Sequence, residues 1–241
     1  MKMGQYYNPY IASFTSMCLN MDAANIRSYP GSGSTWFDVS SFNNLGALTA
    51  CTLTGSGGTR AFSFDGTTSL VNLGATNGGN VTTVWTVEAW IYPTGYGENN
   101  SGRIFQHSSG SLTGFIFSLD NVNVTSGLQL NTYAISGFSA RIGNCITLDT
   151  WQHVALAFSS GTATFYVNGA SVGSSSITSP SSYTSSDYIG NNSGATNTFA
   201  GNISVVRLFR NALTAADIKH NYDVFKGRYS TFSAGGLQVP Q

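Results

Sequence analysis

From about Ala61 to Phe209 the chain is a succession of short apolar or alternating runs, each closed by a cluster of Gly, Ser or Asn: AFSF, LVNL, VWTVEAWIY, RIFQ, GFIFSL, LQLNTYAI, WQHVALAF, ATFYV, YIG and ISVVRLF. Runs of this length are too short for a helical core. Their spacing predicts an all-β domain, a sandwich or barrel in which each run is one strand and each cluster one turn. The sharpest local signal is ATFYVNGASV, where Asn168-Gly169 tolerates the positive φ values of a type I′ turn and joins two alternating runs as a hairpin.

One segment carries helical period. In LTAADIKHNYDVF, Thr214 stands in N-cap position with Asp217 three residues on, and Ile218, Tyr222 and Phe225 follow as one apolar stripe. A short C-terminal helix lying against the sheet edge is expected. Residues 1–17 have neither strand nor helix period and read as an N-terminal arm. Residues 18–225 read as the domain and 226–241 as a C-terminal tail. Tyr6, Tyr7, Tyr10 and Phe14 on the arm, with Tyr229 and Phe232 on the tail, are costly to leave in water. They are expected to dock on the domain's own surface or on a partner.

Charged residues are only 8% of the chain, and ten basic residues balance ten acidic ones. A surface made of Ser, Thr, Asn and Gly lacks the self-repulsion that keeps monomers apart, which favours an assembly component and a homo-oligomer. Nucleic acid is not an expected partner, since phosphate binding needs clustered Lys and Arg. Neither is a membrane, since no run approaches the roughly 20 apolar residues of a span. No export signal is apparent. Cys18, Cys51 and Cys145 are odd in number, far apart and without metal-ligand spacing, and are expected as free thiols.

Six segments in order resemble the laminin-G-like group of the concanavalin A-like lectin/glucanase superfamily: FDGTTSLVNLG from Phe64, WTVEAWIYP from Trp85, WQHVALAF from Trp151, ATFYVNG from Ala163, YIGNN from Tyr188, and FAGNISVVRLFRNALTAADI from Phe199. The resemblance implies a jelly-roll sandwich of two antiparallel sheets. The leader CLNMDAANIRSYPGSGSTWFDVSSFNNLGALT, Cys18 to Thr49, looks like the one that opens such modules in many tailed-phage virion proteins. This implies a virion structural protein of a tailed bacteriophage, made in the host cytoplasm and carried on the virion exterior. A capsid decoration or small tail or neck component that binds other virion proteins would fit. The alternative is a carbohydrate-binding adhesion module that attaches to a host-surface glycan.

WTVEAWIYP poses the catalytic question. It sets Val87, Ala89 and Ile91 on one strand face and Thr86, Glu88, Trp90 and Tyr92 on the other. Superfamily members that hydrolyse glucans present clustered acids, because retaining chemistry needs two carboxyls about 5 to 5.5 Å apart. Glu88 and Glu98 are the only two Glu of the chain and are separated by WIYPTGYG, whose Pro93 and glycines end the strand. No enzyme is therefore expected, and Glu88 is read as structural. His107, His153 and His220 lack nucleophile or zinc spacing, and His153 reads as a packed strand residue. No cofactor is required. If calcium binds, as in many relatives, Asp65, Asn168 and Asp187 are the loop oxygens to examine, although Asp65 can equally bond its own FDG turn. Tyr92 and Tyr96 beside GYGENNSG are the aromatics able to stack on a sugar ring.

Overall fold

The computed structural model describes residues 11–108, 113–132, 139–192 and 194–230. Among them are sixteen strands and one α-helix: β1 Met17–Asp22, β2 Thr35–Phe37, β3 Leu45–Thr49, β4 Thr52–Thr54, β5 Ala61–Asp65, β6 Leu70–Ala75, β7 Val84–Pro93 and β8 Arg103–Ser108, then β9 Gly114–Asp120, β10 Gly127–Thr132, β11 Ser139–Ile142, β12 Gln152–Ser159, β13 Thr162–Val167, β14 Ala170–Ser176, β15 Ser186–Ile189, β16 Ala200–Phe209 and α1 Ala215–Tyr229.

The first sheet runs β14-β13-β12-β7-β16-β5-β4, and the second β11-β10-β9-β8-β15-β6-β3-β2. Strand β16 is long enough to hold two partners on one edge, with β5 pairing Ala200 to Ile203 and β1 pairing Val205 to Phe209. Every pairing is antiparallel, so the molecule is the expected jelly-roll sandwich.

Alternation places Trp85, Val87, Ala89 and Ile91 of β7 between the sheets with Phe105, Phe115, Phe117 and Phe158. The Trp85 ring stacks on Phe115 at 3.9 Å and on Phe158 at 5.3 Å. Each such fully buried aromatic contributes about 1.5–3 kcal/mol of transfer free energy, which fixes the register because a one-residue slip would put these rings outside. The Asn168-Gly169 turn forms as expected, with φ of 50° and 76° and Val167 paired to Ala170.

The helix differs from expectation in length and place. Its cap is the expected one: Thr214 Oγ1 accepts from the Asp217 N–H and Asp217 Oδ2 accepts from the Thr214 N–H. From there it runs 15 residues to Tyr229, past the boundary expected at residue 225. Its buried residues are Ile218, Asn221, Phe225 and Tyr229, and they lie over Trp90, Ala155, Val205 and Phe209 on the outer face of the first sheet, not against its edge. A second, smaller core therefore forms outside the sandwich. The arm boundary also moves: β1 begins at Met17, Ile11 is buried in the second core, and the Ala12 N–H donates to Asn221 Oδ1 at 2.8 Å. No helix among the described residues is long and apolar enough to cross a membrane.

Candidate functional site

Glu88 points out of the sandwich from the middle of β7, and the register places Arg207 of β16 directly beside it. Arg207 Nη1 lies 2.8 Å from Glu88 Oε1, and Asn221 of α1 donates to Oε2 at 3.1 Å. His153 Nε2 stands 3.5 Å from the same oxygen, longer than a good hydrogen bond. The guanidinium is held further by Asn20 of β1, which accepts from Nε at 3.1 Å, and by the Phe225 ring 4.2 Å away. Glu88, His153, Arg207 and Asn221 are all fully buried beneath α1. Burial pushes the Glu88 carboxyl up, but His153 and the Arg207 charge outweigh it and hold the group at about 2. A carboxylate so placed carries no proton at neutral pH. It is the anion that ties strand β16, strand β1 and helix α1 to β7.

Two residues along the same face the chemistry changes. Trp90 stacks on Tyr229 at 4.1 Å and lies nearly parallel to Tyr222 at 5.7 Å. Trp151, just before β12, leans on Tyr229 at 4.7 Å and meets Tyr92 edge-on at 5.6 Å. Between these rings, the Asn168 turn and the last turns of α1 lies an open cleft of about 370 Å³. Its rim carries Asp223, bound by Lys226 Nζ at 2.7 Å and by Lys219. Hydrogen bonds from Lys219 and then Lys226 hold the Asp223 carboxyl below its ordinary value, and Asp223 raises Lys226 in turn. Trp90 is 2% exposed, and its indole N–H has no partner among the described residues.

The other expected site residues do not gather here. Tyr229, expected on a partner-binding tail, is the last residue of α1. Its hydroxyl donates to Ser204 Oγ at 2.9 Å, and burial pushes it up to about 12. Phe14 sits on a short 3-10 turn, Phe14–Ser16, and is 37% exposed. Tyr6, Tyr7, Tyr10 and Phe232 lie outside the described residues. Tyr92 borders the cleft through Trp151, but Tyr96 packs against the sandwich core and shares a 2.6 Å hydrogen bond with Ser126.

The three calcium candidates are also separate. Asp65 accepts from the N–H groups of Thr67, Thr68 and Ser69 and from the Thr68 hydroxyl. Desolvation pushes its carboxyl up, but these four donors overcome it and hold the group well below the usual range. Asn168 Oδ1 accepts from the His153 N–H, and Asp187 is buried against His107 Nδ1 at 2.8 Å. Asp65 ends β5 and Asn168 follows β13, four strand steps apart in the first sheet and hence about 19 Å, while Asp187 is in the second sheet. Among the described residues no three His, Cys, Asp or Glu could hold a metal ion.

Sequence reasoning missed Trp151, Tyr222, Asp223 and Lys226 as cleft residues. The signal available was the placement of Trp151 just ahead of an alternating run, but the helix turn that completes the cleft has no mark in the strand's own pattern.

Residues 65–219, more than half of the chain, match the family model described as the concanavalin A-like lectin/glucanases superfamily. No curated protein matches by sequence. Among solved structures, the binding domain of paraclostridial mosquitocidal protein 1 is 13% identical, with TM-score 0.67 over 88% of this chain and 53% of that one. The botulinum neurotoxin serotype D binding domain is 15% identical, with TM-score 0.64 over 87% of this chain and 52% of that one. Domain 4 of AbnA, an extracellular arabinanase from Geobacillus stearothermophilus solved with arabinotriose, is 16% identical, with TM-score 0.65 over 87% and 98%. The chain thus spans about half the length of the toxin domains and nearly all of the arabinanase domain. At these identities the likeness is one of fold.

Proposed function

We propose that this chain, which belongs to the concanavalin A-like lectin/glucanase superfamily in its laminin G-like form, is a non-catalytic carbohydrate-binding module that attaches its bearer to a glycan-covered surface. The observation that carries the reading is the contrast along one face of β7. Glu88, the residue in position to be an acid, is locked as a buried counter-ion, whereas Trp90 beside it lines an aromatic cleft. Aromatic walls with a few polar groups at the rim suit a sugar, whose ring offers an apolar C–H face and a polar edge. The arabinanase domain solved with arabinotriose supports the same ligand class. A glycan array with the purified protein should give reproducible signals that Trp151→Ala removes. Incubation with β-glucans, galactans and arabinans should release no new reducing ends. A blank array would contradict the reading, as would sugar release that Glu88→Gln abolishes.

A second reading is favoured by the leader from Cys18 to Thr49 and by a surface with only 8% charge and no net charge. It is that of a structural component on the exterior of a tailed-phage virion, bound to other virion subunits, and it is compatible with glycan binding. Its exposed Ile26, Phe37 and Leu45 suit contact with a protein neighbour. Mass spectrometry of purified particles should find the chain at a fixed copy number relative to the major capsid protein. Its absence from particles would remove this reading.

A further inference from the structure

We propose that the cleft between α1 and the first sheet takes a pyranose that carries a carboxylate, an inference that rests on the carbohydrate-binding reading above. The walls settle the ring. Trp151 and Tyr222 are half-buried, so each keeps part of its aromatic surface open to the cleft, while Trp90 and Tyr229 form the floor behind them. The Asn168-Gly169 turn abuts the helix so closely that a Cβ at Gly169 would stand 3.0 Å from both Lys219 and Tyr222. This fixes the third side.

The polar groups settle the charge. Asp223 is the acid of the lining, and both of its oxygens are already occupied, one by Lys219 and the other by Lys226. Lys226 lines the cleft and Lys219 reaches Asp223 from beside it, so two ammonium groups flank one carboxylate. The lysine ammonium groups are half exposed, and a single contact to Asp223 leaves each with further N–H donors. Asn168 uses its oxygen on the His153 N–H, and its Nδ2 makes no hydrogen bond among the described residues. The cleft therefore offers donors and few free acceptors. A neutral sugar's hydroxyls can accept from such a rim but bring it no charge. A uronic-acid-type ring adds two acceptor oxygens and the complementary charge.

The test is titration calorimetry of the full chain with a galacturonic acid trisaccharide and with its neutral galactose counterpart, at low and at physiological salt. The acidic trisaccharide should bind more tightly at low salt, and the preference should shrink as salt rises. Lys226→Gln, at a half-exposed position where the fold has little at stake, should reduce acidic-sugar affinity about two- to fivefold and leave the neutral sugar unchanged. Trp151→Ala should weaken both by at least about tenfold, to below detection, with a melting curve recorded to verify folding and Trp151→Phe expected to restore most of the loss. Equal affinity for the two trisaccharides, or a preference that Lys226→Gln does not alter, would overturn the inference. Glycan binding on an array that survives Trp151→Ala would overturn the cleft while leaving a carbohydrate-binding module in place. A protein that binds no glycan at all would end both readings.

Discussion

Replacing Glu88 by Gln keeps the shape of the side chain and removes its charge, leaving the Arg207 guanidinium buried beneath α1 with only Asn20 and the Phe225 ring as neighbours of opposite character. Removing one member of a fully buried ion pair costs about 3–5 kcal/mol, because the desolvated partner is left uncompensated. The downward shift of the carboxyl is of the same order: moving it from its ordinary 4.5 to about 2 corresponds to roughly 3 kcal/mol of preference for the charged form in the folded state. Set against a total stability of about 5–15 kcal/mol, this is a large fraction. In a chain of this size each kcal/mol moves the midpoint by about 2–4 °C, so the variant should melt about 6–20 °C below the parent. Thermal melting by circular dichroism, checked by the midpoint in urea, measures it. Glu88→Leu combined with Arg207→Met should recover most of the loss, since no charge is then left unpaired. A Glu88→Gln protein that melts within about 2 °C of the parent would refute the structural role assigned to this carboxylate.

The same pair predicts the acid limit of the fold. Because the folded value of Glu88 lies below the ordinary one, its contribution is complete above about pH 4.5 and is lost as pH falls toward 2; melting temperatures over that window should fall steeply in the parent and less steeply in Glu88→Gln. Gly190 has φ of 77°, and a Cβ there would lie 2.0 Å from Phe64 Cε1. Gly190→Ala should therefore cost about 2–4 kcal/mol, read as a lower urea midpoint. Burial pushes the Cys18 and Cys51 thiols up to about 12 and raises Cys145 as well. A thiol reagent at pH 8 should label the native protein slowly and all three cysteines after unfolding; one rapid equivalent in the native state would contradict this.

The sandwich was legible because burial on one face imposes period two, and β7, β9 and β12 carry that period or its fully apolar form. The hairpin at Asn168-Gly169 and the cap at Thr214 were legible because each is set by local chemistry within four residues. Strand β14 was legible only through that turn, as the hairpin's second arm: ASVGSSS is an edge strand, half exposed along its length, and beyond Val172 it has no apolar side to alternate. Strands β2 and β4 are three residues each and too short to show a period. The candidate site was hidden for a different reason. Asn221 looks like a solvent-facing helix residue until α1 is known to cross Glu88, and Arg207 looks like a surface charge until its register beside Glu88 is known. The apolar stripe read from the sequence ends at Phe225, which leaves Tyr229 on the expected tail, yet one further turn of helix puts its ring on Trp90. What a helix covers is a tertiary fact, and no strand pattern encodes it.

Binding and the absence of cleavage can be measured in one sample. The oligosaccharide giving the strongest array signal is titrated into the protein while tryptophan fluorescence reports Trp90 and Trp151, and the mixture is then held for a day and assayed for reducing ends. A saturable fluorescence change that Trp151→Ala abolishes is expected, with reducing ends no higher than in the sugar alone. A steady rise in reducing ends that Glu88→Gln eliminates, or no fluorescence change with any oligosaccharide, would contradict binding without cleavage.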